Sequence, residues 1–255
     1  MNNKKSKKKV VCIIPARFES TRLPGKPLIN ISGKPLIQWV WEAAVNSAAI
    51  DKVFIATDDA RIADFCKSIG AEFIMTPNKL QSGSDRIAFA YDLINENTDF
   101  ILNIQGDEPL IKPLDIENLI NQFIDTNADV GTLIKKINIQ EEIFDTSIVK
   151  VVIDKNKNAL YFSRSPIPHL RDVEQDNWLN NQIFWKHIGI YLYNKQSLID
   201  FSKLKPTKLE LSEKLEQLRL LENGAKFFCV ETDSELIGVD NIEDINKVEK
   251  ALSVI

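Results

Sequence analysis

Residues 10–27 read Val-Val-Cys-Ile-Ile-Pro-Ala-Arg-Phe-Glu-Ser-Thr-Arg-Leu-Pro-Gly-Lys-Pro, an apolar run that ends in a loop rich in proline and positive charge. The run Val10–Ile14 predicts a β-strand, and Arg17, Arg22 and Lys26 place three cations on the loop that follows it. Open α/β sheets bind ligands at the carboxyl ends of their strands, where cations and free backbone N–H groups can meet phosphate oxygens. The stretch therefore predicts an α/β fold with a triphosphate-binding loop. For this segment alone, a surface turn with solvated charges is the alternative.

Strand and helix patterns alternate along the first half of the chain, which predicts a mostly parallel sheet covered by helices. Gly70 stands at the position expected for the residue that closes a helix over 61–69. The predicted strands cover residues 10–14, 52–56, 72–75, 100–104, 130–136, 149–153, 159–162 and 226–230. The predicted helices cover residues 36–48, 61–69, 85–95, 114–126 and 209–222, and a last helix begins near Ile242.

The pattern changes between residues 130 and 162, where three strand-like runs follow one another without a predicted helix between them. We interpret residues 130–190 as an antiparallel insertion whose exposed edge a partner subunit would cover. Residues 10–255, including this insertion, are predicted to form a single domain. Residues 1–9 carry five lysines and predict a disordered, solvated tail, with a phosphate-seeking arm as the second reading.

Composition limits the classes of function. The 255 residues are 44% hydrophobic, enough for a sizeable core, and 32 basic against 36 acidic residues leave a net charge of only −4. That balance gives no general attraction to nucleic acid or membranes, and no segment is long and apolar enough to predict a membrane span. The apolar run after the lysine tail is too short for a secretory signal. Cys12, Cys66 and Cys229 are odd in number, far apart and set in apolar patterns, which favours free thiols in the cytoplasm.

Acidic residues follow the predicted strand 100–104 in the sequence Gln105-Gly106-Asp107-Glu108-Pro109. Asp107 should then lie on the same sheet edge as the basic loop, and Mg²⁺ binds one or two carboxylates together with substrate phosphates. A turn with solvated acids is the alternative for this segment. Much later, Asp240 precedes Asn241, which predicts a helix N-cap. The cap leaves Asp240 unexplained and allows it to form a metal pair with Asp107.

Several segments of the chain match one known family in the same order and with similar spacing. They are residues 10–28, 81–86, 105–109, 161–164, 186–191, 215–219 and 238–240. Together they resemble the 3-deoxy-manno-octulosonate cytidylyltransferases, also called CMP-Kdo synthetases. The similarity extends from about Val10 to the C-terminus and leaves out only the lysine tail. Asn241 and the approach Ser234-Glu235-Leu236-Ile237 depart from the family's usual pattern.

The resemblance implies a three-layer nucleotidyltransferase fold, with a mostly parallel Rossmann-like sheet and an antiparallel insertion that forms a dimerisation ribbon. It implies transfer of CMP from CTP to the anomeric hydroxyl of Kdo, an eight-carbon acidic sugar, giving CMP-Kdo and pyrophosphate for lipopolysaccharide synthesis. It also implies Mg²⁺ as the cofactor and a homodimer. The alternatives are a cytidylyltransferase for 8-amino-Kdo or another sugar acid and, from a different class, a nucleotide-binding module without chemistry. The chain has neither Gly-x-Gly-x-x-Gly after its first strand nor a Gly-Lys-Ser/Thr loop.

The resemblance also implies roles for individual residues. Lys26 would act on the charge that develops at the α-phosphate and the leaving pyrophosphate, Asp107 and Asp240 would bind magnesium, and with Arg17 these residues make the catalytic set. The implied CTP-binding residues are Pro15, Ala16, Arg17, Arg22, Lys26, Gln81, Ser82, Gly83, Gly106 and Asp107. The implied sugar-binding residues are Arg86, Gln105, Arg164, His187, Tyr191, Glu213, Glu216 and Gln217, with Arg164 and Arg86 as candidates for the carboxylate. Apart from the resemblance, His187 could be structural, and Ser82 could simply cap the helix that follows.

Overall fold

A large mixed sheet forms the centre of the computed structural model, which describes residues 8–19, 23–80, 82–94 and 96–253. The strands of the described residues are β1 (Val10–Ala16), β2 (Asn30–Ile31), β3 (Lys34–Pro35), β4 (Lys52–Thr57), β5 (Glu72–Met75), β6 (Phe100–Ile104), β7 (Val130–Lys136), β8 (Lys150–Ile153), β9 (Ala159–Ser163), β10 (Trp185–Asn194) and β11 (Phe227–Glu231). The α-helices are α1 (Leu36–Val45), α2 (Ala60–Ile69), α3 (Gly83–Leu93), α4 (Pro113–Phe123), α5 (Gln140–Phe144), α6 (Trp178–Asn181), α7 (Lys195–Phe201), α8 (Lys208–Glu213), α9 (Gln217–Glu222) and α10 (Ile242–Leu252).

The main path of the sheet runs β11-β7-β10-β6-β1-β4-β5. β1 pairs in parallel with β4 and β6, and β4 pairs in parallel with β5. β10 is antiparallel to both β6 and β7, while β7 is parallel to β11. The predicted mostly parallel α/β fold is confirmed.

Alternate residues of β1 supply the two halves of the core. Val10, Cys12 and Ile14 belong to one buried cluster, and Val11 and Ile13 belong to another. Successive side chains of a strand point to opposite faces, so a strand covered by helices on both faces reads as one continuous apolar run. This is why residues 10–14 could be recognised as a strand, and the two clusters give the layered arrangement of helices, sheet and helices.

Helix ends follow the local signals in the sequence. α2 begins after Asp59, whose side chain accepts a hydrogen bond from the backbone N–H of Arg61 at 2.9 Å. It ends at Gly70, whose φ of 72° is left-handed, as the predicted closing glycine requires. α10 begins after Asn241, which accepts from the backbone N–H of Asp244 at 3.1 Å and confirms the predicted cap.

The second half of the chain differs from the sequence prediction in three places. β7 is a strand of the main sheet, so the antiparallel ribbon is limited to β8 and β9, which extend from β10. α5 occupies part of the region that was predicted to lack a helix. The single helix predicted over 209–222 is wrong, because α8 ends at Glu213, the next residue Lys214 has a left-handed φ of 56°, and α9 begins only at Gln217.

Cys12, Cys66 and Cys229 are all buried free thiols. Among the described residues, none of the helices has the length and apolar character needed to cross a membrane.

Candidate active site

A cleft of about 880 Å³ opens where β10 changes its neighbour in the sheet. Trp185 and Lys186 pair with β8, whereas Ile190 and the residues after it pair with β6. In the same part of β10, between Ile188 and Tyr191, the register of its pairing with β7 on the other side also shifts. The cleft is lined by this part of β10, the loop after β6, residues 145–149, the α8–α9 junction and residues 235–247. Its volume is in the range of natural small-molecule sites.

Lys26 joins two carboxylates that come from distant parts of the sequence. Its Nζ donates to Asp107 Oδ2 at 2.6 Å, to the backbone O of Val239 at 2.7 Å and to Asp240 Oδ1 at 3.4 Å. Asp107 and Asp240 both line the cleft. The backbone N–H of Val239 also donates to the backbone O of Asp107 at 2.9 Å. The structure thus brings together three of the four residues of the predicted catalytic set.

The unusual approach to Asp240 is held by a buried lysine of β7. Lys135 Nζ donates to the backbone O of Asp233 at 3.3 Å, to that of Ser234 at 3.0 Å and to Glu235 Oε2 at 2.6 Å. These contacts fix the chain between β11 and Asp240 without a glycine or proline in residues 234–237.

Gly106 allows the two sheet-end loops to approach each other. A Cβ atom at this position would lie 2.8 Å from the backbone O of Pro15 and 3.1 Å from Ile37 Cδ1. Only glycine fits such a close backbone contact. The loop that carries Asp107 therefore packs directly on the end of β1, where Pro15 and Ala16 precede Arg17.

Glu108 is a site residue that the sequence analysis did not assign. It lines the cleft beside Gly189 and Gly238. Burial, and then the charge of Asp107, raise its pKa to about 8, so the carboxyl group is largely protonated at neutral pH. This limits the negative charge that accumulates next to Asp107 and Asp240.

Arg164 lies in the cleft wall and is held by three backbone oxygens from two segments. Its Nε donates to the backbone O of Glu213 at 2.8 Å, and its Nη1 donates to the backbone O of Thr146 at 3.0 Å and of Ser147 at 3.4 Å. Glu213 in turn accepts from the backbone N–H of Arg164 at 2.9 Å and from Ser163 Oγ at 2.7 Å. Glu213 thus holds Arg164 in place through hydrogen bonds. Glu213 itself is not among the residues that line the cleft.

His187, Tyr191 and Gln217 form another polar part of the cleft lining. His187 Nε2 lies 2.9 Å from Thr132 Oγ1, and burial lowers the pKa of His187 to about 3, so the ring is neutral at physiological pH. The hydroxyl of Tyr191 donates to Gln217 Oε1 at 3.2 Å. Gln217 Nε2 is buried and has no hydrogen-bond partner among the described residues. A buried donor of this kind needs an acceptor, and one supplied by a ligand in the cleft would satisfy it.

Gln105 and Glu216 also line the cleft. Gln105 Nε2 donates to Asn103 Oδ1 at 3.3 Å, and Glu216 Oε2 accepts from the backbone N–H of Ser84 at 3.2 Å. The Glu216 contact brings the start of α3 to the sugar side of the predicted site. Ser82 caps this helix by accepting from the backbone N–H of Asp85 at 3.0 Å.

Arg86 is placed differently from the other predicted sugar-binding residues. It is fully buried, donates from Nη2 to Asp58 Oδ2 at 2.7 Å and also contacts Thr76, and it does not line the cleft. These contacts make Arg86 an internal ion-pair residue. Arg22 and Gln81, which were predicted to bind CTP, lie outside the described residues.

The donor set fits a magnesium ion bound together with a phosphorylated ligand. Within the described ranges no group of three or more His, Cys, Asp or Glu side chains is arranged to hold a metal ion without a ligand. Asp107 and Asp240 nevertheless share one cation, the Lys26 ammonium. Two carboxylates around one cationic position, next to a basic loop, are the protein ligands that Mg²⁺ uses when phosphates complete its coordination.

Comparisons with known proteins show which proteins the chain is similar to. A family model described as cytidylyltransferase matches residues 11–235. A 3-deoxy-manno-octulosonate cytidylyltransferase from Thermodesulfovibrio yellowstonii is 47% identical over 95% of this chain and 98% of its own length. A second one, from Parabacteroides distasonis, is 44% identical over 94% and 96%. A solved structure of CMP:2-keto-3-deoxy-manno-octonic acid synthetase complexed with CTP is 39% identical, superposes with a TM-score of 0.88 and covers 96% of this chain and 99% of that one.

Proposed function

The chain belongs to the 3-deoxy-manno-octulosonate cytidylyltransferases, and on that basis we propose that it transfers CMP from CTP to the anomeric hydroxyl of Kdo and releases pyrophosphate. The single observation that carries the proposal is the contact of Lys26 with both Asp107 and Asp240 at the cleft. Lys26, Asp107 and Asp240 come from separate parts of the chain. They meet at the position where an enzyme of this family would need to bind a triphosphate and its counter-ion. The alternative of a nucleotide-binding module without chemistry gives no reason for this convergence.

Charge stabilisation is the main task of the protein in this reaction. Phosphoryl transfer depends largely on positioning and on cations near the phosphate oxygens, and Lys26 would donate to the oxygens that gain charge at the α-phosphate and the pyrophosphate. Asp107 and Asp240 would hold Mg²⁺ with the triphosphate. When bound, the ion supplies positive charge and lowers the pKa of the attacking hydroxyl. Arg17 and Arg22 on the basic loop would add to the triphosphate contacts.

Recognition of the sugar would use the other walls of the cleft. The Arg164 guanidinium suits the carboxylate of Kdo, because hydrogen bonds between a charged guanidinium and a carboxylate are stronger than those between neutral groups. Gln217 Nε2, which has no partner among the described residues, would donate to a sugar oxygen. Neutral His187 and Tyr191 would complete the hydrogen bonds to the hydroxyl groups. We assign Glu216 and Gln105 to the same part of the ligand.

The compartment, the oligomeric state and the use of the product are also part of the proposal. We propose that it works in the cytoplasm as a homodimer, with the contact surface in residues 130–190, and that its product is used for lipopolysaccharide synthesis. Three buried free cysteines are in keeping with a reducing compartment. The lysine-rich residues 1–7 lie outside the described residues.

Pyrophosphate release tests the proposed reaction. The purified protein is incubated with CTP and Mg²⁺ and with Kdo, 8-amino-Kdo or sialic acid, and Asp107→Asn serves as a nearly isosteric control. We expect release with Kdo that is lost in the variant and in the presence of a chelator. Release with 8-amino-Kdo or sialic acid in preference to Kdo would change the substrate, and no release with any of the three would refute the proposed activity.

A further inference from the structure

Lys150 is a buried charged residue to which the proposed mechanism gives no role. It is the first residue of β8, lies opposite Ser163 of β9 and has a relative exposure of 0%. Its Nζ donates to the backbone O of Asp145 at 2.7 Å, of Ile148 at 2.6 Å and of Arg164 at 2.6 Å. Burying an ammonium group is costly, and an apolar side chain would fill the same space at a lower cost. The importance of Lys150 therefore lies in the groups that it holds.

The donors of Lys150 match these acceptors in number. An ammonium group has three N–H donors, one for each of the three carbonyl groups. Burial lowers the pKa of Lys150 to about 8, which leaves the charged form in the majority at neutral pH. All three donors are then used within the protein, so Lys150 has none left for a substrate.

Two of the three carbonyl groups belong to the loop that holds the Arg164 guanidinium, and the third is the carbonyl of Arg164 itself. Residues 145–148 supply the backbone oxygens of Thr146 and Ser147 to Arg164 Nη1. Lys150 binds the same loop at both ends, through Asp145 and Ile148, and binds Arg164 through its own carbonyl. The loop and the arginine are thus fixed against each other through one buried ammonium group.

We propose that Lys150 is a positioning residue for the sugar carboxylate: it holds loop 145–148 against the backbone of Arg164 and so sets the direction in which the guanidinium enters the cleft. Loop 145–148 contributes Asp145, Ser147 and Ile148 to the cleft lining, next to Arg164. The inference rests on the proposed function, because the proposed function assigns the carboxylate to Arg164.

Lys150→Met tests the inference, because methionine keeps an unbranched apolar stem and removes all three donors. KM for Kdo and KM for CTP are measured by pyrophosphate release, at a temperature at which circular dichroism shows the variant folded. We expect KM for Kdo to rise about 10- to 100-fold, the range for lost hydrogen bonds of a charged group, and KM for CTP to change less than about twofold. Lys150→Gln keeps two N–H donors and should give a smaller rise, and it carries the test if the methionine variant does not fold.

A double-mutant cycle separates positioning from a general loss of stability. If Lys150 acts through Arg164, then Lys150→Met should change KM for Kdo less than about twofold in an Arg164→Ala background, since coupled residues are not additive. Ile62→Ala is the matched control, because Ile62 is fully buried in α2, which packs on β4 and β5. It should lower the melting temperature and leave both KM values unchanged.

The possible outcomes distinguish the two proposals. A wild-type protein that releases no pyrophosphate with Kdo refutes the proposed function and the inference with it. An active wild type refutes the inference alone if the Lys150 variants change both KM values equally or change neither. The inference is also refuted if the fold-changes in KM for Kdo caused by Lys150→Met and by Arg164→Ala multiply in the double variant.

Discussion

Gly106→Ala should damage the site through one added methyl group. The new Cβ would lie 2.8 Å from the backbone O of Pro15, closer than such atoms approach in real structures, and 3.1 Å from Ile37 Cδ1. The Ile37 side chain can move, but the carbonyl of Pro15 belongs to β1, which is paired with β4 at this position. The loop after β6 must therefore shift by a few tenths of an ångström, and Asp107 is its next residue.

The expected effect has two parts. Overpacking of this kind costs about 1–3 kcal/mol of folding free energy, and for a chain of this size that lowers the melting temperature by about 2–12 °C. Displacement of a catalytic group by less than 1 Å is expected to lower kcat/KM by about 10- to 100-fold. Both losses, in stability and in kcat/KM, are expected because Gly106 lies between the carbonyl group of Pro15 and Asp107.

Gly131→Ala is the matched control. Its Cβ would lie 2.9 Å from Phe123 Cδ2, in the core between β7 and α4 and not at the cleft. It should cost a similar folding free energy and leave kcat/KM within about twofold of the wild type. Thermal unfolding and pyrophosphate release measure both variants. Equal kinetic losses in the two variants, or wild-type kinetics in Gly106→Ala, would refute the reasoning.

Three further predictions concern single side chains. Lys26→Ala and Asp107→Asn should each lower kcat for pyrophosphate release by about 100-fold or more, because each removes a charge that serves binding of the triphosphate or its metal ion. The circular dichroism spectrum should not change. Normal turnover in either variant would contradict the assigned site. Arg164→Ala should raise KM for Kdo about 10- to 100-fold and KM for CTP far less, and an unchanged KM for Kdo would move the carboxylate contact elsewhere. His187 has its pKa lowered from 6.5 to about 3 by burial, so between these values the unfolded chain binds the additional proton and stability falls as the pH falls. His187→Gln should flatten the pH dependence of the melting temperature in that window, and an unchanged slope, with the exposed His169→Gln as the control, would contradict this.

Those parts of the fold that depend on local apolar pattern could be predicted from the sequence. β5 and β6 have the predicted bounds, and Gly70 closes α2 as expected. The helix predicted over 209–222 was wrong because the leucine spacing continues across a break that no glycine or proline marks. In one continuous helix Glu210 and Arg219 would be about 13.5 Å apart along the axis. The break at Lys214 instead lets Arg219 Nε donate to Glu210 Oε2 at 2.8 Å in a buried ion pair.

In the candidate site, too, the residues marked by a local sequence signal could be predicted, and those placed by long-range packing could not. Asp107 and Asp240 could be assigned because each follows a recognisable segment end, and the structure places both on Lys26. Glu108 could not be assigned, because its neighbours in the site, Gly189 and Gly238, are distant from it in the sequence. The positions of α5 and of the antiparallel ribbon also depend on long-range pairing with β10, which no short pattern contains.

The change of neighbour along β10 has a consequence for how such a cleft can diversify. β7 flanks this strand on one side, while β8 and then β6 flank the other, so His187 and Tyr191 project from backbone that the sheet anchors at both ends. Loop 145–148 and residues 235–247 line the same cleft but do not belong to the sheet. Substitutions in these rim segments can therefore alter substrate preference, in evolution or by engineering, while the rear surface of the cleft keeps its shape.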